Sequence, residues 1–183
     1  MSVYVIKNFI SQDHIEQIIN KLDIFDSEHD VQSTRKIMRF GIDKFNGSQE
    51  SLNILGDFGK MVRSYGDKAA KLAKILFDYD KEIYLSTLWL SKQIAGSKIK
   101  PHKDTDGGMN MQYCHSGVVY LNTQQSGGEI YFPKLDIEIK PEAGDLVLFE
   151  CRSNESLHGV KLVEQNRYAI PIWLTDDPNY LMD

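Results

Sequence analysis

The chain has 183 residues, of which 42% are hydrophobic and 26% are charged. This length and composition predict one soluble globular domain, spanning residues 1–183, with a substantial buried core. The 26 Asp and Glu residues outnumber the 21 Lys and Arg residues, and the net charge is −5. This balance argues against a protein whose main task is to bind nucleic acid or an anionic membrane surface.

The N-terminal residues MSVYVIKNFISQDH contain neither a basic segment nor a continuous apolar stretch, and no apolar run elsewhere approaches the length of a membrane span. We therefore expect a cytoplasmic protein without a secretory signal. The two cysteines, Cys114 and Cys151, do not have the spacing of a metal-binding pair. We expect both to be reduced thiols.

Residues 1–80 are predicted to be mainly helical and to support the rest of the domain. Residues 3–6, Val-Tyr-Val-Ile, are typical of a short strand. Ser11 is a good residue to begin a helix, and the helix that follows has one apolar stripe, formed by Ile15, Ile18, Ile19 and Leu22.

The segment 25–48 is polar with mixed signals, and we predict a loop there. From residue 50 to residue 77, apolar side chains recur at helical spacing. Gly59 and Gly66 interrupt this pattern, and because glycine weakens a helix interior, we predict that they divide it into two helices.

After residue 80 the pattern changes to short β-rich runs separated by Gly, Pro, Asn and Asp. These runs cover residues 83–90, 117–121, 129–132, 137–139, 146–149, 159–163 and 168–174. Many short strands at this spacing favour a sandwich or jelly roll. We therefore predict an α+β fold in which residues 81–183 form a double-stranded β-helix (jelly-roll) core and the N-terminal helices pack on one sheet.

His102 and Asp104 are two residues apart, so on an extended segment both side chains point to the same side. Pro101 favours such extended geometry at the residue before it. His158 opens a predicted strand and can project inward. Two imidazoles and one carboxylate can occupy one face of an iron(II) ion and leave the other face open.

Arg167 begins the next predicted strand, and period two places Trp173 on the same face. An inward-facing arginine is costly to bury unless an anion pairs with it. A bound carboxylate would supply that anion, and a buried Asp or Glu is the structural alternative. With the metal-ligand pattern, Arg167 predicts an Fe(II)- and 2-oxoglutarate-dependent oxygenase.

Six blocks in this order resemble the prolyl 4-hydroxylase family of 2-oxoglutarate oxygenases. They are His102-Lys-Asp104, Val118-Val-Tyr-Leu-Asn122, Gly127-Gly-Glu-Ile-Tyr-Phe-Pro133, Pro141-Glu-Ala-Gly-Asp-Leu-Val-Leu-Phe149, His158-Gly-Val and Asn166-Arg-Tyr-Ala-Ile-Pro-Ile-Trp173. The offset of Arg167 from His158 is similar to that of the hypoxia-type prolyl hydroxylases, whereas collagen-type enzymes use a lysine there.

The resemblance implies that His102, Asp104 and His158 bind Fe(II) and that Arg167 and Tyr120 bind 2-oxoglutarate. It also implies O2 as co-substrate, with ascorbate as a supporting reductant, and Trp173 on the substrate side of the cavity. The implied reaction hydroxylates an unactivated C–H bond, most simply on a proline of a peptide or protein, and releases succinate and CO2.

Two positions depart from the family pattern. Gln93 stands where many relatives carry a tyrosine, and we expect it to form part of the substrate or co-substrate wall. Pro171 lacks a backbone donor, which favours an edge strand or a bulge. The segments 36–47 and 104–116 are candidate lids over the cavity.

Three alternatives stay open at this point. The first is a hydroxylase of a free amino acid or another small molecule on the same scaffold, because fold alone does not determine the substrate. The second is a non-catalytic metal-binding module, and the third is a cupin-like metal protein that does not use 2-oxoglutarate.

Overall fold

The computed structural model describes residues 1–28, 35–41, 55–106 and 110–182. Two α-helices and ten β-strands lie within these ranges. In chain order they are β1 (Val3–Ile6), α1 (Gln12–Glu28), β2 (Arg35–Gly41), α2 (Gly56–Leu76), β3 (Tyr84–Gln93), β4 (Ile99–His102), β5 (Tyr113–Tyr120), β6 (Ile130–Phe132), β7 (Ile137–Ile139), β8 (Leu146–Glu150), β9 (His158–Val160) and β10 (Arg167–Thr175).

The strands form two antiparallel sheets. The larger sheet has the order β1-β8-β5-β10-β3-β2, and the smaller sheet has the order β4-β9-β6-β7. Strands that follow one another in the chain mostly pair with more distant strands, as in a jelly roll. The predicted α+β architecture with a double-stranded β-helix core is therefore confirmed.

Both helices contribute to a core on the outer face of the larger sheet. The hydroxyl of Ser11 accepts a hydrogen bond from the backbone N–H of His14 at 3.4 Å, so the predicted start of α1 is confirmed. Apolar side chains of the helices pack with those of strands β8 and β10; they include Ile15, Ile18, Leu22, Val62, Ala69, Leu146, Leu148, Ile170 and Ile172. Neither described helix combines the length and hydropathy needed to span a membrane.

A second apolar cluster fills the space between the two sheets. Tyr120, Val147 and Phe149 of the larger sheet pack there with Ile130 and Phe132 of the smaller one. Strand β8 thus directs Leu146 and Leu148 to the helices and Val147 and Phe149 to the other sheet. This period-two alternation separates a helix-facing core from an interior in which a site can form.

The predicted loop over residues 25–48 is wrong in two places. Helix α1 continues to Glu28, and residues 35–41 form β2, which pairs with β3 at the edge of the larger sheet. Backbone pairing with an available edge stabilises this strand although its side-chain pattern does not predict one. The rest of this segment, residues 29–34 and 42–48, lies outside the described residues. Residues 107–109 of the second candidate lid (104–116) also lie outside them, and the last residues of that lid form the first part of β5.

Helix α2 is continuous, so the prediction that Gly59 and Gly66 divide it is wrong. Residues 50–54 of that prediction lie outside the described part of the chain. A Cβ atom on Gly66 would lie 2.5 Å from Leu85 Cδ2 on β3. Glycine at this position therefore permits close approach of the helix to the sheet.

Pro171 does not lie on an edge strand, because β10 is paired on one side with β5 and on the other with β3. The missing backbone donor has a local effect instead. Ala169 and Ile172 are each paired with a residue of β3, whereas Ile170 and Pro171 between them are not. The bulge in this strand pair lies at Trp173 and Leu174. The expectation of an edge or a bulge at Pro171 is thus corrected to an interruption of one ladder.

We expect Gly127→Ala to destabilise the protein more than Gly96→Ala. Both glycines have positive φ, but a Cβ at Gly127 would lie 2.0 Å from the backbone oxygen of Leu162, whereas a Cβ at Gly96 would meet nothing within 4 Å. Left-handed strain alone costs about 1–2 kcal/mol, which is about 2–8 °C in melting temperature for a chain of this size. Thermal unfolding should show that loss for Gly96→Ala and a clearly larger one for Gly127→Ala. Equal losses would contradict the close approach.

Candidate functional site

The pairing of β4 with β9 brings two predicted ligands together. His102 at the end of β4 lies directly opposite His158 at the start of β9. The centroids of their rings are 4.6 Å apart. His158 is buried, whereas the side chain of His102 is 43% exposed, so the pair lies where a buried interior meets an opening.

Asp104 completes the cluster two residues after His102. Its Oδ1 lies 3.6 Å from Nε2 of His102, and its Oδ2 lies 4.0 Å from Nε2 of His158. One ligand atom from each of the three residues can be chosen so that all lie within 4.8 Å of one another. The structure thus brings together the three residues that the sequence predicts to hold the metal.

Both histidines are oriented by backbone carbonyl groups. Nδ1 of His102 lies 3.0 Å from the carbonyl oxygen of Lys100, and Nδ1 of His158 lies 2.9 Å from that of Ser156. A carbonyl oxygen only accepts hydrogen bonds, so each Nδ1 carries the proton. In the neutral ring, Nε2 then offers a lone pair toward Asp104.

The charge states fit a cation site. Burial lowers the pKa of His158, although the negative charge of Asp104 opposes this effect. For Asp104, burial acts to raise the pKa, but the neighbouring imidazoles of His102 and His158 and a hydrogen bond from Ser116 outweigh it and keep the pKa below its usual range. A carboxylate and two imidazole lone pairs that face one another can bind a cation between them, and this mixed nitrogen and oxygen set is one that Fe(II) accepts.

Arg167 lies at the other end of the cavity in an unusual environment. It is 2% exposed, and no carboxylate of a described residue forms an ion pair with it. Nη1 donates to Oε1 of Gln93 at 3.3 Å, and Cζ lies 4.8 Å from the ring centroid of Tyr120. The alternative of a buried acidic partner is therefore not found among these residues, and a bound carboxylate would supply the anion that the buried charge needs.

Three polar atoms around this charge have no hydrogen-bond partner within the described part of the chain. They are Nε of Arg167, the hydroxyl of Tyr120 and Nε2 of Gln93. All three can donate, and leaving buried donors unsatisfied is costly. A carboxylate is the group that would satisfy them, so the residues present fit one end of a dicarboxylate co-substrate.

Gln93 and Arg167 lie opposite each other on β3 and β10. Gln93 is 1% exposed and contacts the guanidinium group. Arg167 lines the cavity, and Gln93 and Tyr120 both lie against its guanidinium group. The structure thus places Gln93 beside Arg167.

A cavity of about 380 Å³ connects the metal-ligand cluster with Arg167. Trp173 lines it, as predicted, and two further aromatic residues contact that indole: the ring centroid of Trp89 lies 4.5 Å from that of Trp173, and the ring of Tyr113 stacks at 6.1 Å. Arg167 and Trp173 are on the same face of β10. The cavity therefore has a cationic region and an aromatic region, with the metal ligands on its wall.

Sequence reasoning did not identify Trp89, Tyr113 and Ser116 as cavity residues, although all three line it. For Ser116 a signal was available, because it is four residues before Tyr120 and a strand directs both to the same face. The strand predicted from the sequence begins only at Gly117, and this boundary excludes Ser116 from the alternation. For Trp89 and Tyr113 the pairing of β3 and β5 on either side of β10 brings the rings together, and this is a tertiary effect.

Comparisons with known proteins agree with this site. The family model for the 2OG-Fe(II) oxygenase superfamily matches residues 88–175. Among curated proteins, prolyl 3-hydroxylase 1 of Gallus gallus is 40% identical over 72 residues, and the Homo sapiens protein of the same name is 39% identical over 72 residues. Each match covers 36% of this chain and 10% of the relative, so the chain aligns with a small part of these longer proteins.

Solved structures share the fold across almost the whole chain. A viral collagen prolyl hydroxylase from Paramecium bursaria Chlorella virus-1 superposes with a TM-score of 0.69 and 16% identity, covering 97% of both chains. A Pseudomonas putida prolyl-4-hydroxylase gives a TM-score of 0.68 at 16% identity, covering 96% of this chain and 92% of the other.

A prolyl hydroxylase from Trichoplax adhaerens, solved with a hypoxia inducible factor peptide fragment, gives a TM-score of 0.65 at 18% identity, covering 95% of this chain and 83% of the other. The match to the family model includes all three predicted metal ligands, Arg167 and Trp173. Residues 88–175 of the chain are thus similar to the 2OG-Fe(II) oxygenase superfamily.

Proposed function

We propose that this protein is an Fe(II)- and 2-oxoglutarate-dependent dioxygenase that hydroxylates a prolyl residue in a peptide or protein. One observation carries the proposal: three converging metal-ligand atoms share a cavity with a buried arginine that has no acidic partner among the described residues. A metal site alone would not need Arg167, and an anion site alone would not need the ligand cluster. Together they fit iron and a dicarboxylate.

Each group has a defined task in this proposal. His102, Asp104 and His158 hold Fe(II), which when bound supplies the activation of O2 that is coupled to decarboxylation of 2-oxoglutarate to succinate and CO2. Arg167 pairs with the distal carboxylate of 2-oxoglutarate and the Tyr120 hydroxyl donates to it. Because these donors are buried and preorganised, they hold the co-substrate in one orientation without rearrangement.

The aromatic region is the proposed substrate end. Trp173, with Trp89 and Tyr113 against it, offers flat apolar surface on which a pyrrolidine ring can pack. Apolar walls also exclude water from the site of hydroxylation. The names of the similar proteins, prolyl 3-hydroxylases and prolyl 4-hydroxylases, support a proline in a peptide over a free amino acid.

Replacing His102 with alanine should abolish metal binding. Anaerobic addition of Fe(II) to the protein with 2-oxoglutarate should produce a visible charge-transfer band in the native protein and none in His102→Ala. His14→Ala is the matched control, because His14 instead contacts the hydroxyl of Tyr65 at 2.7 Å on the helical side. No band from correctly folded native protein would contradict the proposed co-substrate and favour a module without this chemistry.

Replacing Arg167 with alanine should weaken 2-oxoglutarate binding about 100-fold. Truncating one partner of a buried charge pair costs roughly 2–5 kcal/mol, and about 1.4 kcal/mol corresponds to tenfold in affinity. The titration that follows the band intensity gives the dissociation constant. Arg63→Ala on α2, whose side chain donates to the carbonyl of Met182, should leave it unchanged. Unchanged affinity in Arg167→Ala would favour the cupin-like alternative.

Turnover with a panel of proline-containing peptides tests the substrate. We expect succinate and hydroxyproline in equal amounts with at least one peptide, and no stimulation by free proline. Mass spectrometry locates the modified residue, and NMR of the product distinguishes hydroxylation at C3 from hydroxylation at C4. Stimulation by a free amino acid and by none of the peptides would contradict a peptide substrate while leaving the oxygenase chemistry intact.

A further inference from the structure

Each predicted metal ligand also forms a hydrogen bond with a group outside the cluster. For the two histidines the partner is a backbone carbonyl, as described above. For Asp104 the partner is a side chain: the hydroxyl of Ser116 donates to Oδ2 at 2.5 Å. Because this partner is a side chain, a substitution can remove the support of the carboxylate.

The same hydroxyl has a second neighbour. Sγ of Cys151 lies 2.8 Å from Oγ of Ser116. A serine hydroxyl has a single hydrogen, and the carboxylate of Asp104 can only accept it. The hydrogen between Ser116 and Cys151 therefore comes from the thiol. The three side chains form a relay in which S–H donates to O–H and O–H donates to the carboxylate.

The thiol is held in the protonated, donating form by its surroundings. Cys151 is 1% exposed and Ser116 is 2% exposed. Burial raises the pKa of Cys151 well above its ordinary value, and the negative charge of Asp104 acts in the same direction. A buried thiol beside a carboxylate is therefore a hydrogen-bond donor at neutral pH.

The backbone places both donors with little freedom. Ser116 lies within β5, in register with Phe149 of β8. Cys151 follows β8 directly, and its N–H donates to the carbonyl of Cys114 at 2.9 Å. Its own carbonyl accepts from the hydroxyl of Ser156 at 2.8 Å, and Ser156 is the residue whose carbonyl orients His158. Cys151 thus contacts both Ser116, which donates to the Asp104 carboxylate, and Ser156, which orients the His158 imidazole.

We propose that Ser116 and Cys151 are positioning residues that hold the Asp104 carboxylate so that one oxygen is occupied by a hydrogen bond and the other is presented to the metal. The inference rests on the proposed function, since it concerns the same iron site. A carboxylate held in this way supplies one ligand atom and leaves the remaining coordination positions for co-substrate and O2. Both residues act through Asp104, and neither is itself a metal ligand.

Removing the hydroxyl should weaken metal binding without removing a ligand. In Ser116→Ala, Oδ2 of Asp104 loses its donor and the carboxylate is free to rotate or to offer both oxygens to one ion. Loss of such a partner typically lowers metal affinity about 10- to 100-fold. Cys151→Ala should have a smaller effect, roughly 3-fold to 10-fold on the same scale, because Ser116 keeps its own hydrogen. Cys151→Ser keeps a donor and should restore most of the native affinity.

The test is anaerobic Fe(II) titration of native protein, Ser116→Ala, Cys151→Ala and Cys151→Ser, with the dissociation constant and the position of the charge-transfer band as readouts. Cys114→Ala is the matched control. Cys114 is also buried, but its thiol lies 3.5 Å from the carbonyl of Leu174 in the core that faces the helices. Circular dichroism and thermal unfolding establish that each variant is folded at the temperature of the titration.

We expect the highest Fe(II) affinity in native protein, Cys114→Ala and Cys151→Ser, a lower affinity in Cys151→Ala and the lowest in Ser116→Ala. The charge-transfer band should shift only in Cys151→Ala and Ser116→Ala. Native affinity in Ser116→Ala would overturn the relay, and so would equal losses in Cys114→Ala and Cys151→Ala, which would indicate general loosening of the core. Failure of the proposed function is distinguishable, because native protein itself would then give no band with 2-oxoglutarate.

Discussion

The antiparallel pairing of β4 with β9 is the constraint on which the site depends. It places His102 opposite His158 although the two residues are far apart in sequence, and Asp104 follows from the first of them by chain connectivity. Side chains alternate along a strand, so a shift of one residue in this pairing would move one imidazole away from the cluster. The smaller sheet is therefore required to form the metal-ligand cluster. The packing of Ile130 and Phe132 against the larger sheet holds the smaller sheet in place.

The larger sheet divides the protein into two environments with different chemistry. One face packs on the helices and is apolar, and its hydrophobic burial stabilises the fold. The other face carries buried polar groups, among them Arg167, Tyr120 and Gln93, whose donors are only partly satisfied by described residues. Burying such groups costs free energy, and the free energy gained by apolar burial on the helical face offsets that cost.

Much of this arrangement was predictable from local patterns. The spacing of His102 and Asp104 and the alternation from Arg167 to Trp173 identify side chains that share a face, and the order of the strand-like runs indicates the jelly roll. The structure places each of these residues on the cavity. Local patterns worked here because strand periodicity is a property of the backbone itself.

Other features depend on contacts between distant segments and could not be read from the chain. β2 forms because β3 offers an edge, and Gly66 reflects the position of Leu85 rather than a helix boundary. Pro171 is accepted in a central strand because only the ladder to β3 is interrupted. The sequence predicts Cys151 only as a reduced thiol, and nothing in its sequence neighbours places it 2.8 Å from Ser116. Both cysteines are indeed free and buried.

Strand β10 has a consequence for the range of substrates. Arg167 and Trp173 lie six residues apart on one strand, which corresponds to roughly 20 Å at about 3.3 Å per residue. The distance between the two ends of the cavity is thus set by β10, which pairs with β5 and, except at Ile170 and Pro171, with β3. An inserted residue would turn one of the two side chains away. Related enzymes that accept larger or smaller substrates are expected to differ in side-chain size at positions such as Val118 and Pro171, which line the cavity, while the strand between its two ends keeps its length.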